Sequence, residues 1–231
     1  MANTIVVFTG AGISAESGIP TFRDSDGLWC NYDINEVATP EAWERDYKKV
    51  LEFYNQRRKN IMETEPNAAH YALVKLEEKY RVFVITQNID DLHERAGSTN
   101  VIHLHGEIFK ARSTVDPNLK YDIKGYELNP GELCKYGKQL RPDVVWFGEE
   151  VPMMSEAYRV LNLSDCLIVI GTSLQVYPAA YIIYNASPNI PKFIIDPQAS
   201  QVNNIKNLKI ICKKAGEGTP ELVDYILKNG F

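Results

Sequence analysis

The stretch Ile5-Val6-Val7-Phe8-Thr9-Gly10-Ala11-Gly12-Ile13-Ser14-Ala15 decides the fold. Its opening run is continuously apolar and largely β-branched, which predicts a strand covered on both faces. Gly10 then opens a G-x-G-x-x-G/A turn, with Ala15 in the last place, at a strand-to-helix junction. Glycines there permit a tight turn and let the backbone approach a pyrophosphate, which sits at a helix amino terminus. The stretch therefore points to an α/β protein that holds a dinucleotide at the end of its first strand. The bland alternative is a structural glycine turn that binds nothing.

Outward from this turn, apolar runs predict further strands at Val82 to Thr86, Val101 to Leu104, Leu167 to Ile170, Phe193 to Ile195 and Lys209 to Cys212. Helical patterns fall at Ala68 to Lys79, Ile89 to Ala96, Pro178 to Asn185 and Pro220 to Lys228, the last with Thr219 as candidate N-cap and Pro220 in first position. Strand and helix alternate, so the expected class is α/β, a Rossmann-like doubly wound parallel sheet. Two stretches break the alternation. About 23–66 carries an amphipathic helix with Trp43, Tyr47, Val50, Leu51 and Tyr54 on one stripe, and about 107–141 is polar and weakly periodic. We read them as insertions forming a smaller lobe on a single catalytic domain spanning 1–231.

Composition narrows the function. With 25 Lys plus Arg against 30 Asp plus Glu, the formal charge of -5 provides no cationic field for nucleic acid. No apolar run approaches the roughly 20 residues that cross a bilayer. The amino terminus has no basic region before its short apolar run, so a cytoplasmic location is expected. Four scattered cysteines, Cys30, Cys134, Cys166 and Cys212, fit neither a disulfide scaffold nor a C-x-x-C site, and reduced thiols are expected. The chain sets no oligomeric state.

The dinucleotide pattern is incomplete, because the acid expected about 20 residues beyond the glycine turn has no second strand to sit on. An acid does end a later strand, at Asp196 in Phe193-Ile194-Ile195-Asp196, where it can receive a ribose hydroxyl. A rearranged dinucleotide site is implied.

At this point the residues resemble the sirtuin family, the NAD-dependent protein lysine deacylases. The resemblance rests on Gly10-Ala11-Gly12-Ile13-Ser14 with Gly18-Ile19-Pro20-Thr21-Phe22-Arg23, and on Thr86-Gln87-Asn88-Ile89-Asp90 and His105-Gly106. Two later blocks complete it, Leu140-Arg141-Pro142-Asp143-Val144-Val145-Trp146-Phe147-Gly148-Glu149 and Gly171-Thr172-Ser173-Leu174. The blocks occur in family order over most of the chain. The resemblance implies NAD contacts from Gly10, Ala11, Gly12, Ala15, Thr21, Phe22 and Arg23 on the diphosphate side, with Arg23 offering a cationic fork. It implies Gln87, Asn88 and Asp90 around the nicotinamide ribose, and Gly171, Thr172, Ser173 and Val176 around the adenosine ribose. Asp196, Gln198 and Ala215 follow toward adenine, Asp196 standing where the family usually has Asn.

The resemblance also makes His105 the proton-transfer residue. In the sirtuin mechanism the acyl oxygen of a modified lysine attacks the nicotinamide ribose, nicotinamide leaves, and a histidine deprotonates a ribose hydroxyl; free lysine and O-acyl-ADP-ribose result. Histidine suits the task because its ordinary pKa lies near working pH. His103 lacks the following glycine and is read as structural. Acylated-lysine proteins are the implied partners, with Val144, Val145, Phe147 and Gly148 pairing with their backbone by strand addition.

Tyr54 and Arg57 share a helical face, and in the sirtuin subgroup that removes succinyl, malonyl and glutaryl groups such a Y-x-x-R pair grips the acyl carboxylate. Ala38 matches the small residue that leaves room for a longer chain. Removal of succinyl or malonyl, together with acetyl, is therefore expected. Three other readings are weighed against it: a catalytically silent NAD or ADP-ribose binding module, a mono-ADP-ribosyltransferase on the same fold and, least favoured, a hydride-transferring dehydrogenase. Sirtuins usually carry four zinc cysteines in the second insertion, whereas this chain has Cys134 alone there. One thiolate cannot close a four-ligand site, so no metal is expected, with Tyr121, Ile123, Tyr126 and Leu128 packing the lobe instead. Elemental analysis should find far less than one zinc per chain and chelation should leave the unfolding temperature unchanged; stoichiometric zinc with unfolding on chelation would overturn this.

Overall fold

The computed structural model describes residues 3–20, 32–172, 174, 180–199 and 205–231, with the backbone alone of 28–29 and 179. Along the chain the strands are β1 (Thr4–Thr9), β2 (Leu28–Trp29), β3 (Tyr32–Asp33), β4 (Arg81–Thr86), β5 (Val101–His103), β6 (Gly106–Ser113), β7 (Lys120–Asp122), β8 (Leu140–Val144), β9 (Cys166–Ile170), β10 (Lys192–Ile195) and β11 (Leu208–Ile211). The α-helices are α1 (Ile34–Val37), α2 (Pro40–Met62), α3 (Ala68–Leu76), α4 (Leu92–Ala96), α5 (Met154–Leu161), α6 (Ile182–Asn185) and α7 (Ala215–Asn229).

The six strands anticipated from apolar runs form one sheet in the order β11-β10-β9-β1-β4-β5, with every pair parallel. Read from the β5 edge, the order is third, second, first, fourth, fifth, sixth, which is the dinucleotide-binding arrangement. Strand β1 lies at the centre and is buried along its whole length. Its side chains alternate between two cores: Ile5 and Val7 pack with Leu73, Leu76, Val223 and Ile226 on the α3/α7 face. Val6 and Phe8 pack with Ala157, Val160, Leu161 and Ile182 on the α5/α6 face. Burying each of these four contributes about 1.5–3 kcal/mol.

Helix α5, which has no counterpart among the predicted helices, supplies part of that second face. Helix α7 begins earlier than expected: Lys214, not Thr219, occupies the N-cap and Pro220 lies inside the helix. The first turn tolerates this start because Gly218 packs where a Cβ would lie 2.7 Å from the Ile195 side chain. Helix α3 ends at Leu76 and α4 starts at Leu92, shorter than the sequence pattern at one end each.

The first insertion contains α2, two helical segments meeting at Asp46, whose backbone leaves helical geometry and whose carboxylate accepts the Lys49 N–H at 3.1 Å. On its stripe Val50, Leu51 and Tyr54 are buried, while Trp43 and Tyr47 are half-buried and stack on each other at 5.5 Å. The second insertion is less irregular than its polarity suggested, since β7-β6-β8 is an antiparallel sheet with a bulge between Glu107 and Ala111. Leu128, Leu140, Ala111 and Cys134 pack there against Leu51, with Tyr121 and Ile123 beside them. Tyr126 departs from the expectation: it is 37% exposed, and Lys59 lies over its ring.

Arg58 joins the two insertions. Fully buried, it donates to the carbonyls of Tyr126 at 2.8 Å and Ile108 at 3.0 Å and to Asn55 Oδ1, which also accepts the Leu128 N–H at 2.9 Å. Burial pulls its guanidinium down to about 10, still charged at neutral pH. Among the described residues no helix is long and apolar enough to cross a membrane. Arg58→Met strands two buried carbonyls and should lower unfolding stability by about 2–4 kcal/mol; a denaturant midpoint within error of the parent would show that the clamp is dispensable.

Candidate active site

The site begins where the sheet order reverses, at the carboxyl ends of β1 and β9. Gly12 donates its N–H to Gly171 O at 2.8 Å, and a Cβ on Gly12 would fall 2.6 Å from the Gly171 Cα. No side chain fits between the two turns. Gln87, just past β4, reaches across to donate to Thr172 Oγ1 at 3.0 Å, so the ends of β4, β1 and β9 are tied in a row.

Beneath this row lies a buried polar cluster. Ser14 Oγ donates to Asp90 Oδ2 at 3.1 Å and accepts from Asn88 Nδ2 at 3.1 Å; Asp90 Oδ1 also accepts the Leu92 N–H at 3.2 Å. Burial raises the Asp90 carboxyl above the usual range, opposed by these hydrogen bonds. Ser14 was not singled out from sequence, although a lone hydroxyl facing inward within Gly12-Ile13-Ser14-Ala15 is the one signal available.

Two histidines leave β5 side by side. His105 Nδ1 lies 2.9 Å from Gln87 O and His103 Nδ1 lies 2.9 Å from Asn88 O. Each carbonyl can only accept, so each Nδ1 carries the hydrogen. In neutral His105 the lone pair is therefore on Nε2. Burial lowers the His105 pKa, partly offset by the Gln87 bond. His103 differs: burial is outweighed by the Glu94 carboxylate 2.8 Å from its Nε2, so its pKa is raised. Gly106, at φ +84, lets β6 start against the Asp143 carbonyl, where any Cβ would collide, and this contact sets His105 beside β8.

Gly12, Ser14, Gln87, Asn88, Asp90, His105, Gly171 and Thr172 line one cavity of about 690 Å³, a size that suits a dinucleotide with part of a second substrate. Every described residue expected from sequence lines it: Gly10, Ala11, Gly12, Ala15, Gln87, Asn88, Asp90, His105, Gly171, Thr172, Asp196, Gln198 and Ala215, with Ala38, Tyr54, Arg57, Val144, Val145, Phe147 and Gly148. Thr21, Phe22, Arg23, Ser173 and Val176 lie outside the described residues. Asp196 Oδ1 accepts the Gln198 N–H at 2.8 Å. Glu149 and Trp146, absent from the sequence-derived set, also line the cavity.

The Sir2 family model matches residues 10–178, from the first glycine of the turn past the β9 end. The chain belongs to the Sir2 family. It is 50% identical over 97% of its length to an NAD-dependent protein deacylase of Helicobacter pylori, of which it covers 97%. It is 45% identical over 96% of its length to an NAD-dependent protein deacylase of Bacteroides thetaiotaomicron, covering 97% of that protein. A Sir2 homologue solved with ADP-ribose superposes with a TM-score of 0.89 at 41% identity, over 98% of this chain and 93% of that one. A Sir2 homologue solved with NAD gives 0.88 at 40% identity, over 100% and 91%.

Among the described residues, the second insertion offers a single thiol, Cys134, as a donor for a structural zinc. Cys134 is buried, its Sγ receives the Ser113 hydroxyl at 3.3 Å, and among the described residues no three His, Cys, Asp or Glu side chains come together as a metal site. The described cysteines Cys134, Cys166 and Cys212 are free thiols; Cys30 lies outside the described residues.

A second histidine pair lies under the site floor. His93 Nε2 is 3.1 Å from Thr9 Oγ1, and its ring meets that of His70 edge-on at 4.9 Å, both fully buried. Desolvation pulls His70 down to about 4 and His93 well below the ordinary value. Between those values and the unfolded value near 6.5, the unfolded chain binds more protons, so stability rises with pH there and falls as pH drops. Lowering pH from 7 to 5 should cost up to about 1.4 kcal/mol per pH unit for each ring below 6.5. The dependence should shrink in His70→Gln; a melting temperature flat over this range would refute it.

Proposed function

We propose that this Sir2-family chain is an NAD-dependent protein lysine deacylase that removes succinyl and malonyl groups as well as acetyl. One observation carries the reading: His105, the Gly10 to Ala15 turn and the pair Tyr54 and Arg57 open into a single cavity. NAD fits the site because the side-chain-free contact of Gly12 with Gly171 leaves backbone at the switch point, where a diphosphate can approach. When bound, NAD supplies an electrophilic ribose carbon and a nicotinamide leaving group.

The chain's own residues supply the rest. His105 holds its Nδ1 hydrogen on Gln87 O and takes a proton from a ribose hydroxyl at Nε2. Asn88, Asp90 and Ser14 form a rigid polar floor that holds the ring-proximal end of the cofactor. Ala38 and the buried Tyr54 border the acyl channel, with Arg57 supplying a fork suited to a carboxylate. Burial raises the Tyr54 phenol, keeping it protonated. The acylated peptide docks along Val144 to Gly148. The N–H groups of Val145, Trp146 and Phe147 are already held by His105 O, Glu149 Oε2 and Ala38 O, so a peptide strand pairs chiefly with carbonyls of this segment. The two insertions act as one zinc-free lobe on a single catalytic domain, clamped by Arg58 in place of metal.

The parent and His105→Ala are to be incubated with matched acetyl-lysine and succinyl-lysine peptides, with and without NAD, and the products followed by mass spectrometry. The parent should release both acyl groups with O-acyl-ADP-ribose, and the variant should lose at least about 10²-fold. The acid limb of the parent's kcat/KM should lie below the ordinary histidine value near 6.5, in keeping with the lowered His105. Removal of acetyl alone would refute the carboxylate receptor; NAD binding without turnover of either peptide would identify a binding module.

A further inference from the structure

Gln87, Asn88 and Ile89 cross from the end of β4 toward α4 without regular structure, yet their backbone is held from two directions. The N–H of Gln87 donates to Thr9 O at 2.9 Å and that of Asn88 to Thr86 Oγ1 at 3.0 Å, which ties the loop to β1 and β4. The three carbonyls turn the other way, toward β5 and β6. Gln87 O accepts from His105 Nδ1, Asn88 O from His103 Nδ1 and Ile89 O from the Ile108 N–H, each at 2.9 Å. The middle bond has a second support. His103 Nε2 lies 2.8 Å from Glu94 Oε1 on α4, and the histidine side chain is only 7% exposed, so both of its ring nitrogens are engaged.

What this bond holds is the backbone from which the polar floor of the site projects. Asn88 is buried and lines the cavity, and its amide donates to Ser14 Oγ at 3.1 Å, which in turn donates to Asp90 Oδ2. One peptide earlier is the carbonyl that fixes the His105 tautomer. A shift of Asn88 O therefore moves both the floor and the histidine above it. We infer that His103, braced by Glu94, is a positioning residue for the reaction: its Nδ1–H sets the backbone of Asn88, and through it the register of Asn88, Ser14 and His105 against the nicotinamide ribose. His103 and Glu94 do not line the cavity, so they act at one remove. The inference rests on the reading above that places the nicotinamide ribose at Asn88 and Asp90, and adds to it a pair outside the cavity. It also gives His103 a role beyond the structural one expected from its missing glycine.

Two substitutions separate the two bonds of the ring. The amide nitrogen of asparagine can take the place of Nδ1, so His103→Asn keeps a donor for Asn88 O and loses Glu94. Glutamine reaches as far as Nε2, so His103→Gln keeps Glu94 and loses Asn88 O. Nicotinamide release is to be followed at saturating NAD, with whichever of the acetyl-lysine and succinyl-lysine peptides the parent turns over faster, at a temperature where circular dichroism shows each variant folded. His103→Gln should lower kcat by about tenfold, the worth of one hydrogen bond to a buried carbonyl, with KM for the peptide within about twofold of the parent. His103→Asn should stay within about threefold of the parent in kcat. A purely structural histidine would instead lower the melting temperature in both variants and leave kcat of the folded enzyme unmoved, and that result overturns the inference. So does an equal fall in both variants, since the bond to Asn88 would then not be the agent. Asn88→Ala is the control on the underlying reading: if it keeps the parent's kcat, the ribose placement and the inference fall together. If Asn88→Ala loses activity while His103→Gln does not, the inference falls alone.

Discussion

The contact between Gly12 and Gly171 is the constraint on which the site depends. The parallel sheet puts the ends of β1 and β9 side by side, and only backbone fits where their turns meet. A side chain on either would push the turns apart, and with them Gln87, which bridges to Thr172, and the carbonyl that orients His105. The switch point of the sheet and the tautomer of a histidine on another strand are thus linked through a few short contacts. Chemistry in this fold is positioned by backbone more than by side-chain packing.

The second principle is the sharing of charge between buried and half-buried groups. Two histidines of one strand, separated by a single residue, meet opposite environments: a carboxylate raises His103, while burial without such a partner lowers His105. Identical side chains are thereby shifted in opposite directions from their ordinary pKa. Arg58 and Arg141 likewise divide their roles, the first capping carbonyls within the insertions and the second pairing with a carboxylate beside the cavity.

The sheet was legible because its inner strands β1, β4, β9 and β10 are buried on both faces and so written as largely apolar runs. Where burial is one-sided the signal weakened: α5 carries only Met154, Ala157, Val160 and Leu161 inward, and β6 to β8 alternate polar with apolar residues. The start of α7 was misplaced because Thr219-Pro220 matches an N-cap followed by a first-position proline, whereas both lie inside the helix, just after the Gly218 that admits Ile195. Site residues in the glycine turn, at strand ends and in the His-Gly step were legible through local spacing and resemblance. Trp146, Glu149 and Ser14 were not, since their importance arises from partners far away in sequence that no local pattern records.

Strand β1 leaves the ribosome well before one of its two neighbours, β9, which begins at Cys166. Until β9 has followed it out, Val6 and Phe8 lack the strand beside them and Thr4 lacks the Asp165 carboxylate that receives its N–H at 2.8 Å. At typical synthesis rates of about 5–20 residues per second this buried central strand waits for roughly ten seconds or more with one edge open. During biosynthesis, the element that makes the mature centre stable is therefore an unpaired strand edge, the kind of template on which another chain can pair.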